Sequence, residues 1–328
     1  MAKNKNVLSL SQILSTSRIY ALISIVAAHI YFVQDTCYIL FERIGTIGVI
    51  VFLLVSGYFF KPEKFDSVKA LLKKKMVSIC IPWVVLGTVT WFYNVMLSSK
   101  YRSIIGYLKW ISGNTTFLYY MPILMLCFLI FFKSNKWFQK LSFAVTVVSV
   151  ILTAAGIMDG VISFLKITNY LNIFNWIGFF GLGMLFQNIN ESKLVFVLKK
   201  YRFVFIGLYA VTLMILVIFD AVEVNYFSFV AIPYELCGAL AVFSMSTFDL
   251  SRYSFFKRII NLSFSVYLLH MIFIGLFDEI LQKFILTQYL SPIIIILITI
   301  LFLVSAGCIA EKIKLGSLFC VITGDRKK

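Results

Sequence analysis

Ten apolar stretches recur along the 328-residue chain, at about 16–34, 44–60, 76–97, 115–132, 141–158, 170–188, 202–219, 227–247, 259–277 and 289–310. A membrane-crossing helix needs about 20 mostly apolar residues, and these stretches are of that order. In lipid the backbone has to satisfy its own N–H and C=O groups, which leaves helices or closed barrels. Barrel strands alternate polar and apolar residues, and these stretches do not. The expectation is an all-α, polytopic integral membrane bundle of about ten transmembrane helices. It forms a single membrane-embedded domain over residues 1–328, with no room for a soluble domain. Composition agrees: 61% of residues are hydrophobic and only 13% are charged, where soluble domains carry about 25%.

Lysine and arginine set the orientation. With the N-terminus inside, the inner segments hold 24 Lys and Arg and the outer segments 6, with Arg43 among the outer ones. Acidic residues show no such bias. This is the positive-inside pattern, so both termini are expected in the cytoplasm. The net charge of +16 is then a topology signal with some attraction to anionic lipid, and no nucleic-acid partner is needed to explain it. The first helix reads as retained, because no small-residue cleavage site follows a short apolar core. The six cysteines are scattered without paired spacing, so neither a disulfide framework nor a metal site is expected.

Ionisable groups inside spans are costly and usually face the bundle interior or a water-filled cavity. Here they are His29, Glu235 and His270, with Arg18 at the inner margin of the first span. Eleven residues separate Arg18 from His29. On a continuous helix that is about three turns, placing both on one face about 16 Å apart. Counted from the ends of their own spans, all three ionisable groups fall about 16–20 Å from the cytoplasmic side. A shared depth is what one intramembrane site requires, although an interhelical hydrogen bond is the plainer use of a lone membrane histidine. Ser263, Tyr267 and His270 follow at spacings of four and three, on one helix face. Ser56 lies in the second span among Gly45, Gly48 and Gly57, where small residues permit close helix contact. Tyr119 and Tyr120 open the fourth span, where an aromatic belt and a substrate platform both fit. Lys73, Lys74 and Lys75 end the longest inner loop, either as anchoring charges or as a phosphate-binding rim.

At these residues the chain resembles the acyltransferase-3 family of integral membrane acyltransferases. The Arg-x10-His arrangement of Arg18 and His29 is similar to that family's first-helix motif. GVIVFLLVSGYFF resembles its second-helix block, YYMP at Tyr119 to Pro122 its Trp-aromatic-Leu-Pro block, and SFSVYLLH at Ser263 to His270 its late Ser-x3-Tyr-x2-His block. The chain departs from the pattern before Pro82 and Trp83, where Lys75 and Ser78 stand in place of two arginines. A bidentate fork is thereby replaced by a point charge and a hydroxyl. The resemblance implies an O-acetyltransferase acting in the membrane. The donor would be cytoplasmic acyl-CoA (acetyl-CoA), and the acceptor a hydroxyl of a cell-surface polysaccharide or lipid-linked saccharide, in the plasma membrane of a bacterium. It implies His29, His270, Tyr267 and Glu235 as the catalytic set. Arg18, Lys73, Lys74, Lys75 and Ser78 would hold the donor, with Ser56, Tyr119, Tyr120 and Ser263 in support and no metal. The rival is a polysaccharide exporter using the intramembrane His and Glu as a proton relay. Against it stand the absence of an evident inverted repeat and the few acidic residues in the spans. A purely structural subunit would leave the Arg18–His29 spacing unexplained. The sequence gives neither the acyl group, the acceptor nor the oligomeric state.

Overall fold

Helix α1, Leu10–Ala27, starts where the sequence supplies a cap. Ser9 accepts from the Gln12 backbone N–H, and the Gln12 side chain accepts from Ser9 N in return, a capping box that satisfies otherwise orphaned donors. Glu191 takes the Leu10 N–H at 2.7 Å, placing a carboxylate at the positive end of the helix. The computed structural model describes residues 8–33, 35–219 and 226–325. Fourteen further helices follow: α2 Asp35–Phe59, α3 Val68–Lys75, α4 Ile81–Leu97, α5 Ile104–Ile111, α6 Tyr120–Ile130, α7 Lys136–Ala154, α8 Asp159–Leu165, α9 Ile177–Phe186, α10 Glu191–Lys200, α11 Arg202–Phe219, α12 Ala231–Met245, α13 Ser254–Leu281, α14 Ile285–Lys312 and α15 Gly316–Thr323. The described residues contain no strand.

Every apolar stretch of the sequence overlaps a described helix, but the lengths differ from expectation. Seven described helical stretches are long and apolar enough to cross a membrane: α1, α2, the run 68–97, α7, α12 extended to Phe248, α13 and α14. The pair α10 and α11, bent by 60°, makes an eighth if taken as one span. The stretches expected at 115–132 and 170–188 shrink to the helices Phe117–Ile130 and Ile177–Phe186, about 21 and 15 Å long at 1.5 Å per residue. Polar side chains explain the second shortening. Asn172 and Asn175 bond with Ser149, and Asn175 also donates to the Asn169 carbonyl, which holds residues 169–175 in two tight 3-10 turns ahead of α9.

Three further features position the site. Helix α1 packs on α2 and α13, and α2 packs on α9. Gln187, just past α9, donates its amide to the carbonyls of Gly57, Tyr58 and Phe60, which meets the orphan acceptors at the end of α2. Between α3 and α4, Met76–Cys80 is a π-helical turn in which the Ile81 N–H returns to the Met76 carbonyl. Pro82 follows and has no N–H to donate, so the ordinary ladder fails here. Arg43 is not in an outer loop as expected. It lies inside α2, buried and paired with Glu42 at 3.2 Å.

Candidate active site

Helix α1 ends two residues earlier than the Arg18–His29 spacing assumed. Ala27 is its last residue, and His29 sits in the turn beyond. The two side chains therefore do not share a helix face. Arg18 lines one cavity and His29 another.

The cavity holding His29 measures about 810 Å³. It lies among the C-terminal ends of α1 and α4, the start of α2 and the loops before α6 and α9. Aromatic rings dominate it, among them Phe117, Tyr119, Tyr170 and Tyr226, with Asn114 and Thr116 between them. The Tyr119 and Tyr170 rings are 4.8 Å apart. The Tyr119 hydroxyl donates to Tyr226, which donates to the Gly45 carbonyl at 3.1 Å. Burial and the nearby Glu42 carboxylate raise the Tyr170 hydroxyl above its usual range.

The second cavity, about 260 Å³, lies toward the lysine-rich end. Arg18, Ser56, Lys75, Ser78, Tyr120 and Ser263 line it. The Lys75 ammonium sits 3.3 Å from the centre of the Phe128 ring and the Arg18 guanidinium 5.2 Å from that of Phe59, cation–π placements that hold both charges at the cavity. Lys73 and Lys74 are exposed on α3 and do not line it. Ser56 and Tyr120 share a hydrogen bond at 3.3 Å.

Tyr267 and Ile25 line both cavities, and at this shared wall the histidines meet. The rings of His29 and His270 are 5.1 Å apart, tilted by 42°. Phe117 lies edge-on to His270 at 5.1 Å, and the Tyr267 hydroxyl donates to the Phe117 carbonyl. His270 is 0% exposed. Its Nδ1 faces the Tyr267 carbonyl at 2.6 Å, and a carbonyl only accepts, so Nδ1 carries the proton and Nε2 keeps a lone pair. Among the described residues that Nε2 has no partner. His29 is half-buried and faces the large cavity. An imidazole that a ligand can reach, backed by one that it cannot, suits a base with a support behind it.

The structure thus brings Arg18, Lys75, Ser78, Ser56, Tyr120 and Ser263 to one cavity, His29 and Tyr119 to the other, and Tyr267 and His270 to the wall. Tyr119 and Tyr120 are both buried, not at a lipid interface, and adjacent residues face different cavities. Glu235 is buried in α12 and within electrostatic reach of Tyr119 and Tyr226, behind the aromatic cavity. It does not join the imidazole pair. Phe117, Tyr170 and Tyr226 were missed by sequence reasoning. In a chain with 34 Phe and 17 Tyr, nothing local distinguishes them.

Residues 14–311 match the model of the acyltransferase-3 family, described as an acyltransferase domain. The chain belongs to this family. The acyltransferase is therefore a multi-pass membrane protein whose matched region includes every residue of both cavities except Gly324. No curated protein and no solved structure matches it significantly.

Proposed function

We propose that the acyltransferase moves an acetyl group from cytoplasmic acyl-CoA to a hydroxyl of a polysaccharide or lipid-linked saccharide at the opposite face of a bacterial plasma membrane. One observation carries the reading. Two cavities facing opposite ends of the bundle share a wall at Tyr267 and Ile25, and the paired imidazoles stand at that wall.

The donor's phosphates fit the basic cavity, where Arg18 and Lys75 supply charge-assisted hydrogen bonds. A volume of about 260 Å³ is below the usual range of about 300–1,000 Å³ for ligand pockets. It suits the pantetheine arm, with the nucleotide left at the mouth beside the exposed Lys73 and Lys74. The aromatic cavity takes the sugar. Its hydroxyl gives a proton to His29 Nδ1 or Nε2 as its oxygen attacks the thioester carbonyl. The new C–O bond forms, the C–S bond breaks, and the CoA thiolate leaves and is protonated. His270 holds the imidazole pair in register, and Tyr267 fixes Phe117 beside them.

The test is the O-acetyl content of the host's surface glycans, with the intact protein and with His29→Ala at matched membrane levels. The reading expects acetate to disappear while the glycan stays at the surface. Loss of surface glycan with normal acetylation inside the cell would point to export instead and overturn it.

A further inference from the structure

The family match stops at residue 311, but the structure carries the chain back onto the donor cavity. After α14 the backbone turns at Lys314, φ 61°, with Leu315 N–H donating to the Ala310 carbonyl and Lys314 N–H to that of Glu311. This is the reversal that ends a helix and satisfies its last carbonyls. Helix α15 then runs back along α14, α4 and α13.

Its end is fastened at two points. Ser265 of α13 donates its hydroxyl to the Thr323 carbonyl. Arg258, also on α13, donates to Asp325 at 2.8 Å, and the Asp325 side chain is 1% exposed. A carboxylate is costly to bury unless a charge pairs with it, so this contact specifies one docked position. Between the two fasteners lies Gly324, at φ 65°, and it lines the same cavity as Arg18 and Lys75. A Cβ at this position would lie 3.4 Å from Phe264 and Pro82 and 3.5 Å from the Ser78 carbonyl oxygen. Phe264 and Ser78 line that cavity too. The backbone of Gly324 thus borders the cavity beside the π-helical turn, and a Cβ there would meet two of its lining residues.

We propose that residues 313–325 form the closing wall of the donor cavity, held by the Arg258–Asp325 pair, with Gly324 setting the room left for the donor. The proposal rests on the reading that acyl-CoA occupies this cavity. Glycine serves two ends at position 324: it takes the left-handed backbone without strain, and it adds no atoms to the cavity. Asn also tolerates that backbone but projects an amide inward, so Gly324→Asn narrows the cavity with both fasteners intact. Asp325→Asn keeps the shape and removes the charge that holds the wall.

The experiment is equilibrium binding of labelled acetyl-CoA to the full-length protein in lipid nanodiscs, with the thermal midpoint of each variant recorded. Gly324→Asn and Asp325→Asn should each weaken binding by about tenfold, the size of one charge-assisted hydrogen bond. Exchanging the charges, Arg258→Asp with Asp325→Arg, should recover most of the loss caused by Asp325→Asn. A general structural defect would lower the midpoint of Gly324→Asn and would not be repaired by the exchange. Arg18→Ala and Lys75→Ala serve as reference variants. If these two weaken binding while Gly324→Asn and Asp325→Asn do not, the wall is wrong and the donor site stands. If all four bind like the parent protein, the donor reading fails and takes the wall with it.

Discussion

His29 and His270 stand in ring contact but differ in access, and that difference decides which one can meet a substrate. His29 faces the large cavity, whereas His270 is sealed. Replacing His29 by Gln should cut acetyl transfer by about 10²–10⁴, the range for losing a positioned base, with acetyl-CoA affinity unchanged in nanodisc binding. An equal fall in donor affinity would mean that His29 binds the donor and is not the base. In the proposed mechanism His270 acts through its neighbour, so substitution by Asn, which can still donate to the Tyr267 carbonyl, should keep more activity than substitution by Ala. Equal activities for the two variants would remove the positioning role. The two histidines were legible in the sequence as rare ionisable groups at similar depth. Their lateral contact was not, because hydropathy reports how far along a helix a residue lies and says nothing of which helices are neighbours. Phe117 shows the same limit. It contributes its carbonyl and its ring to the wall, roles that depend on the backbone of one 3-10 turn and leave no composition signal.

Among the elements, α2 and α9 meet backbone to backbone. A Cβ at Gly57 would fall on the Phe180 carbonyl, and one at Gly183 on the Leu54 carbonyl. Because both obstacles are backbone, neither can swing aside. Alanine at Gly57 or Gly183 should therefore cost about 1–3 kcal/mol or more by overpacking, visible as a lowered thermal midpoint in detergent and reduced membrane level. Normal midpoints for both variants would show that the helices can separate freely. The small residues of the second span thus hold α2 against its neighbours, while Ser56, one position before Gly57, faces the smaller cavity. The sequence allowed either use, and both occur one residue apart, since successive helical residues point about 100° away from each other. Element boundaries were less legible. Helix α1 stops at Ala27, two residues short of His29, and the stretch before α9 is held in turns by an asparagine network formed with a different helix. Neither can be read from the apolar run itself.

Across the whole molecule, the proposed function divides donor and acceptor between the two cavities. Arg18→Ala and Lys75→Ala should raise the KM for acetyl-CoA, while Tyr170→Ala should raise the KM for the glycan, each leaving the other constant nearly unchanged. Crossed effects from either cavity would mean that the cavities do not act as separate sites. The order of the apolar runs and the bias of Lys and Arg gave the bundle and its expected direction in the membrane. The cavities follow from short elements such as the Phe117–Ile130 helix, whose loop enters the bundle. The shared wall has a consequence for the cell as well as for the reaction. Its side chains lie between a space of about 810 Å³ and one of about 260 Å³, and Tyr267 borders both. A catalyst built in this way must also be an electrical insulator. Trimming Tyr267 to Ala would join two wettable spaces end to end, and sealed vesicles carrying that variant should dissipate an imposed proton gradient that the parent protein preserves. The bulk of this tyrosine would then be maintained by the membrane's need to hold its charge, quite apart from the rate of transfer.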